Sequence, residues 1–185
     1  RRRDRGDDVR PDQQLEAKQD AAAEIGPIAL IGLLARLAAE MDARRLAVDP
    51  HDAAAKLDYA IDLSQIGVCT RRLGSREDAL KFYFQSLSIR RELWQSDRAN
   101  VHARAHLMYM LTEIGRLQAD LRKWGDARAH LLEAVEHATV LHGSGPDTVP
   151  QETLIQSYSH LGRIAKALPS DGCSWFRRSL AVAPG

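Results

Sequence analysis

Apolar positions recur every three or four residues along most of the chain, the spacing of one face of an amphipathic helix. Between Asp52 and Leu73 the residues Ala55, Tyr59, Leu63 and Ile66 form such a stripe, and Thr70 continues it. Leu73-Gly74 supplies a glycine stop. Ser75, with Asp78 three residues on, reads as a capping box that opens a second helix to about Ser96. Asn100 caps a helix ending near Trp124-Gly125, and the next runs from Asp126 to about His142. HGSGPDTVP then breaks the pattern. A further helix covers roughly Gln151–Leu168, Pro169-Ser170-Asp171-Gly172 is a turn, and a last helix starts near Cys173. No segment carries a convincing strand pattern.

Upstream, IGPIALIGLLA at 25–35 is an uncharged run with proline placed for a first helical turn, which predicts a helix over about 27–47. Eleven residues span only about 16 Å as a helix, too short for a bilayer. Residues 1–24 carry almost no large apolar side chains, and six bases and six acids stand in the first 20 positions. Such a segment buries too little surface to offset its ordering entropy, so it is expected to be a disordered linker or a fraying helix start. The interleaved Asp4, Asp7, Asp8 and Asp12 speak against a basic arm for nucleic acid.

Composition narrows the class. The 185 residues are 44% hydrophobic and 28% charged, enough for a folded core. Aromatics are only 5% and alanine is abundant, a balance that favours helices over a β-sandwich or barrel. The net charge of +1 gives no global attraction to nucleic acid or an anionic membrane. Cys69 and Cys173 are too few for a disulfide framework.

The most informative feature is self-similarity. LSQIGVCTRRLGSREDALKFYFQSL from Leu63, LTEIGRLQADLRKWGDARAHLLEAV from Leu111 and YSHLGRIAKALPSDGCSWFRRSL from Tyr158 align. Gly67, Gly115 and Gly162 are 48 and 47 residues apart, and Asp78, Asp126 and Asp171 are 48 and 45 apart. A mid-helix glycine costs about 1 kcal/mol against alanine. Three at one register imply that a neighbouring helix approaches too closely for a Cβ. A small residue early in the next helix (Ala79, Ala127 or Gly172) forms the other side of each contact. A helix pair built this way cannot bury its apolar surface alone and must stack on the next pair.

These units resemble the tetratricopeptide repeats, in a long-helix variant with a period of about 47 residues. Gly67 to Ala79 and Gly115 to Ala127 match the family's spacing of glycine in helix A to alanine in helix B. The third unit is two residues shorter, and Arg91 and Thr139 stand where the family has its closing proline. The resemblance implies an all-α fold, a right-handed α-solenoid of antiparallel helix pairs over 25–185. The pairs would span about 52–96, 100–142 and 151–182, behind a helix left over from a preceding repeat. It further implies a cytoplasmic, non-catalytic scaffold in a larger bacterial regulatory protein, binding a protein or peptide partner in the concave groove.

Family positions carried over residue by residue place Ser64, Val68, Arg71, Arg72, Thr112, Arg116, Ala119, Asp120, Ser159, Arg163, Lys166 and Ala167 along that groove. Five bases and one acid would attract an acidic peptide or a chain-end carboxylate. The same arginines are equally readable as a solvated face. The family's carboxylate-clamp asparagines are absent: Gln65, Glu113 and His160 stand at one key position, and Val68, Arg116 and Arg163 at another. Self-association through the apolar 25–35 helix or the last helix, with Trp175, Phe176 and Leu180, is the competing reading and would make a homo-oligomer.

Other chemistry is weakly signalled. His102 and His106 share a helix face, but no third ligand has metal-site spacing, and Ala103 stands where a zinc protease needs glutamate. Glu133 and His137 read as an i,i+4 pair, with His130 nearby, and Cys69 as a buried small residue. Trp94 and Trp124 read as packing residues near helix ends. Phosphate-loop and serine-hydrolase motifs are missing, and no cofactor is expected.

Overall fold

The computed structural model describes residues 11–143, 148–167 and 172–183. Among these, seven α-helices and one 3₁₀ turn account for nearly the whole chain, with no strand. The helices are α1 (Pro11–Val48), α2 (Ala53–Arg72), α3 (Arg76–Ser96), α4 (Val101–Asp120), α5 (Trp124–His142), α6 (Thr148–Ile164) and α7 (Gly172–Val182), with the 3₁₀ turn Ala165–Ala167 after α6. Each helix packs on the next in the chain, and α4 also packs on α6. Among the described residues no helix is long and apolar enough to cross a membrane.

The helix expected over about 27–47 begins earlier, at Pro11, so Pro27 lies inside it, and residues 11–24 are helical, the second of the two readings given for that segment. Proline suits the first turn because its missing N–H has no partner there. Pro11 holds that place, whereas Pro27 leaves the carbonyl four residues before it without its helical donor. Residues 1–10 and the turn at Pro169–Asp171 lie outside the described residues, as does most of the GSGP stretch after α5.

The three glycines do what their spacing predicts. A Cβ on Gly115 would stand 2.7 Å from Leu131 Cγ and 3.2 Å from the Ala127 carbonyl oxygen, on α5. On Gly67 it would run into the Tyr83 ring and the Ala79 carbonyl of α3. On Gly162 it would meet the Phe176 ring of α7 at 2.7 Å. Ala79 and Ala127 are fully buried on the far side of these crossings. Around them Tyr83, Leu87, Leu107, Leu111, Ile114 and Leu117 form the central core.

The turns between paired helices repeat as well. Gly74 adopts φ +104°, its N–H donates to the Arg71 carbonyl at 3.1 Å, and the Ser75 N–H donates to the Thr70 carbonyl at 3.1 Å. This is the Schellman ending of a helix. One period later Arg122 occupies the same left-handed position at φ 59°, with Arg122 N–H to Ala119 at 3.0 Å and Lys123 N–H to Gln118 at 2.8 Å. So α4 ends at Asp120 and the left-handed residue is Arg122, ahead of the expected stop at Trp124-Gly125. A non-glycine residue in this conformation costs roughly 1 kcal/mol. Arg122→Gly is therefore expected to stabilise the fold by about 0.5–1 kcal/mol, read as a raised urea midpoint at unchanged slope; a lowered midpoint would refute it.

Caps divide in the same way. Asn100 Oδ1 accepts from the Ala103 N–H at 3.0 Å and Asp52 Oδ1 from the Ala55 N–H at 2.9 Å, as N-caps should. Ser75 does not close the expected capping box: its hydroxyl donates to Asp78 Oδ2 at 2.6 Å instead of accepting from the backbone. Between helices, Arg45 at the end of α1 bonds Asp42 at 2.9 Å, Asp58 at 3.2 Å and Asp52 at 3.3 Å, tying α1 to α2. Glu133 pairs with Arg91 of α3, at 2.7 and 3.0 Å, and not with His137. His137 instead meets the Trp94 ring edge-on at 4.7 Å.

Candidate functional site

The residues assigned to the groove separate into two groups. Ser64 and Thr112 are buried, and their hydroxyls donate to the Ile61 and Met108 carbonyls at 2.7 and 3.0 Å. Thr112 also meets Ser157 Oγ at 3.2 Å, and Ser159 meets Ser179 Oγ at 3.1 Å. Val68 packs against the central core. Ser64, Thr112 and Ser159, each three residues before its glycine, face a neighbouring helix, and Val68, one residue after Gly67, is drawn into the core.

The charged residues remain accessible. Arg72, Asp120, Arg163 and Lys166 are exposed, and Arg71 and Arg116 are half-buried. Arg71, Arg116 and Arg163 supply one guanidinium per repeat, each four or one residues after its glycine. Their fields overlap on the side chains between them. Burial pushes the Tyr83 hydroxyl above its ordinary pKa and Glu113 adds to this, while Arg71 and Arg116 oppose it. Burial holds the His160 imidazole below its ordinary value, and Arg163 and Arg116 reinforce that. Arg163 Nη1 lies 3.5 Å from His160 Nδ1. A cleft of about 110 Å³ between Ala119, Trp124, His160, Arg163 and Ile164 opens beside this pair.

Two features escaped the sequence reading. Glu113 grips Arg116 with both oxygens, Nη2 to Oε2 at 2.5 Å and Nε to Oε1 at 3.3 Å, so a second acid stands among the candidate residues and the Arg116 charge is partly neutralised. The i,i+3 spacing of Glu113 and Arg116 was the available signal. The Arg71 Nε and the Tyr83 hydroxyl are buried without a well-formed hydrogen bond, and the Arg71 guanidinium acts on the Tyr83 hydroxyl as its strongest opposing influence after burial.

A second surface is apolar. Leu30, Leu34, Leu37 and Met41 of α1 are 57, 56, 50 and 66% exposed, with Ile31 and Leu33 beside them. The inward face of the same helix is built of small residues: Ala35 and Ala39 pack on Ile66, and a Cβ on Gly32 would stand 3.1 Å from Cys69 Cβ. An ordinary surface helix has the reverse arrangement. At the other end, Leu180 is 74% and Phe176 42% exposed. Among the described residues no three His, Cys, Asp or Glu side chains are grouped to hold a metal ion.

No family model matches the chain, and no curated protein matches it. Among solved structures, the crystal structure of BtubC (BKLC) from P. vanneervenii is similar over 84% of this chain and 88% of that chain, at 13% identity and a TM-score of 0.31.

Proposed function

We propose that the chain is a tetratricopeptide-like right-handed solenoid acting as a non-catalytic, cytoplasmic interaction scaffold within a larger bacterial regulatory protein. The ladder Arg71, Arg116 and Arg163, one guanidinium per repeat, is the observation that carries this reading. Repeating rungs suit an extended acidic peptide, whose carboxylates recur along the chain as the arginines recur along the array. Glu113 tempers the ladder, which favours selective over indiscriminate capture of anions. A fluorescein-labelled hexaglutamate peptide tests the idea. It is expected to bind with an affinity that falls as salt is raised. Arg71→Ala/Arg116→Ala/Arg163→Ala should weaken it at least ten-fold at unchanged helicity. Equal binding by this variant sinks the groove assignment.

A second reading is favoured by the α1 surface: the exposed face docks on a second copy of the chain. Leu30, Leu34, Leu37 and Met41 are spaced four, three and four residues apart, a pattern that reads the same from either end. Two antiparallel copies would set Leu34 against Leu37 and Leu30 against Met41, the self-complementarity a two-fold interface requires.

A further inference from the structure

Arg90 of α3 is only 3% exposed, yet it carries a guanidinium. Its Nε donates to Ser86 Oγ at 3.0 Å, and its Nη1 lies 3.2 Å from both the carbonyl oxygen and Nδ1 of His106. Nη2 reaches Ser64 Oγ at 3.5 Å. Every one of these partners is neutral. Among the described residues no ion pair involves Arg90. Burial pushes its pKa down to about 10, which still leaves it cationic at neutral pH. Desolvating a cation without an anion is costly, on the order of several kcal/mol.

The repeat supplies its own comparison. One period of 48 residues carries Ala60 to Met108 and Arg90 to Ala138. Met108 and Ala138 are fully buried and pack with Leu154, and the polar groups beside them are the uncharged hydroxyls of Thr112 and Ser157. The scaffold closes at this layer without a charge, so helix packing alone does not require Arg90.

Arg90 also lines a cavity of about 360 Å³. Leu57 and Ala54 of α2, Leu93 of α3 and Ala103 of α4 give it apolar walls. His106 lines it too, its pKa held down first by burial and then by Arg90. Because Nδ1 faces the arginine, the neutral ring carries its proton on Nε2, a second donor. The first turns of α2 and α4, with Ala53 and His102, reach the same cavity, as does the last turn of α3 with Leu93, Ser96 and Asp97, so the helix ends bring partial charges of both signs and Arg90 is the one full positive charge in the lining. Asp97 at the rim is the one carboxylate in the lining, and its Oδ1 accepts from the Ala99 N–H at 3.1 Å. Leu57 stands about 20 Å along α2 from Arg71 by helical rise, so the cavity lies well apart from Arg71.

We propose that this cavity binds a carboxylate carried on a short apolar body, the carboxylate pairing with Arg90 and the body lying against Leu57, Leu93 and Ala54. A small carboxylic acid and the chain end of a peptide share that chemistry. The proposal does not depend on the ladder: Arg71→Ala/Arg116→Ala/Arg163→Ala should leave it intact.

Hexanoate and its uncharged amide, hexanamide, are the probes, followed by titration calorimetry and by the His106 ring-proton shifts in NMR. Hexanoate is expected to saturate the site and to bind at least ten-fold more tightly than hexanamide. Arg90→Met should reduce hexanoate to the level of the amide. Ala54→Trp fills the cavity from an exposed position and leaves every Arg90 bond in place. It should abolish binding of both probes, and it decides the matter if Arg90→Met does not fold. The tripeptide Ala-Leu-Leu, N-acetylated, with a free or amidated C-terminus, separates the sources. Free acid tighter than hexanoate assigns the site to a chain end, and weaker assigns it to a small acid. No binding of either acid, equal binding of acid and amide, or binding unaltered by Ala54→Trp overturns the proposal.

Discussion

Gly115→Val is expected to destabilise the fold by about 3 kcal/mol, because overpacking a closed helix crossing forces backbone or side chains out of their minima. The added Cβ alone would lie 2.7 Å from Leu131 Cγ and 3.2 Å from the Ala127 carbonyl. Leu131 is fully buried, so its side chain has no open space to enter, and the carbonyl belongs to a helix that cannot bend locally. The intrinsic gain of replacing a helical glycine, up to about 1 kcal/mol, opposes this and is outweighed. Gly26→Ala is the matched control. It is also helical, but nothing lies within 4 Å of its Cβ position, so the same gain appears unopposed. Urea unfolding followed by circular dichroism should therefore move the two midpoints in opposite directions. A Gly115→Val midpoint equal to wild type would show that α4 and α5 are farther apart than described.

The helical repeat was legible because its signals are local and recur. The glycine register, the small residue that follows it, and the caps at Asp52 and Asn100 all depend on residues a few positions apart. What was missed depends on partners far along the chain. Nothing near Ser64 announces that its oxygen accepts from Arg90, 26 residues on. Nothing near Glu133 announces Arg91, 42 residues back. Propensity misled at Pro27, where a start signal sits inside a continuous helix. It misled again at Gly125, where a glycine three residues beyond Arg122 drew the boundary away from the true turn. Among the candidate site residues, the accessibility of Arg71, Arg72, Arg116 and Arg163 follows from their positions in the repeat. The buried positions could not be read that way, since which way a helical side chain faces is fixed by the neighbouring pair. Arg90 lies outside both readings: it is one charged residue in an arginine-rich sequence, and only its burial without an anion sets it apart.

Leu34→Asp/Leu37→Asp is expected to raise the dissociation constant of a dimer built on α1 by at least about 100-fold, because each copy would place two carboxylates in an apolar contact that meets its own image. Contiguous exposed apolar patches of this kind mark interaction sites in proteins that otherwise keep such surface covered. Leu34 and Leu37 are 56 and 50% exposed, so the substitutions remove little packing within one copy. Stability of the separate chain should stay within about 0.5 kcal/mol, as for other surface changes. Sedimentation equilibrium across a concentration series reads the first effect and urea unfolding of dilute protein the second. The two together separate loss of an interface from loss of the fold. A wild-type chain that stays monomeric at every concentration excludes the dimer. A variant that still dimerises moves the contact to the other apolar edge, at Phe176 and Leu180, where Leu180→Asp would then be the disrupting change.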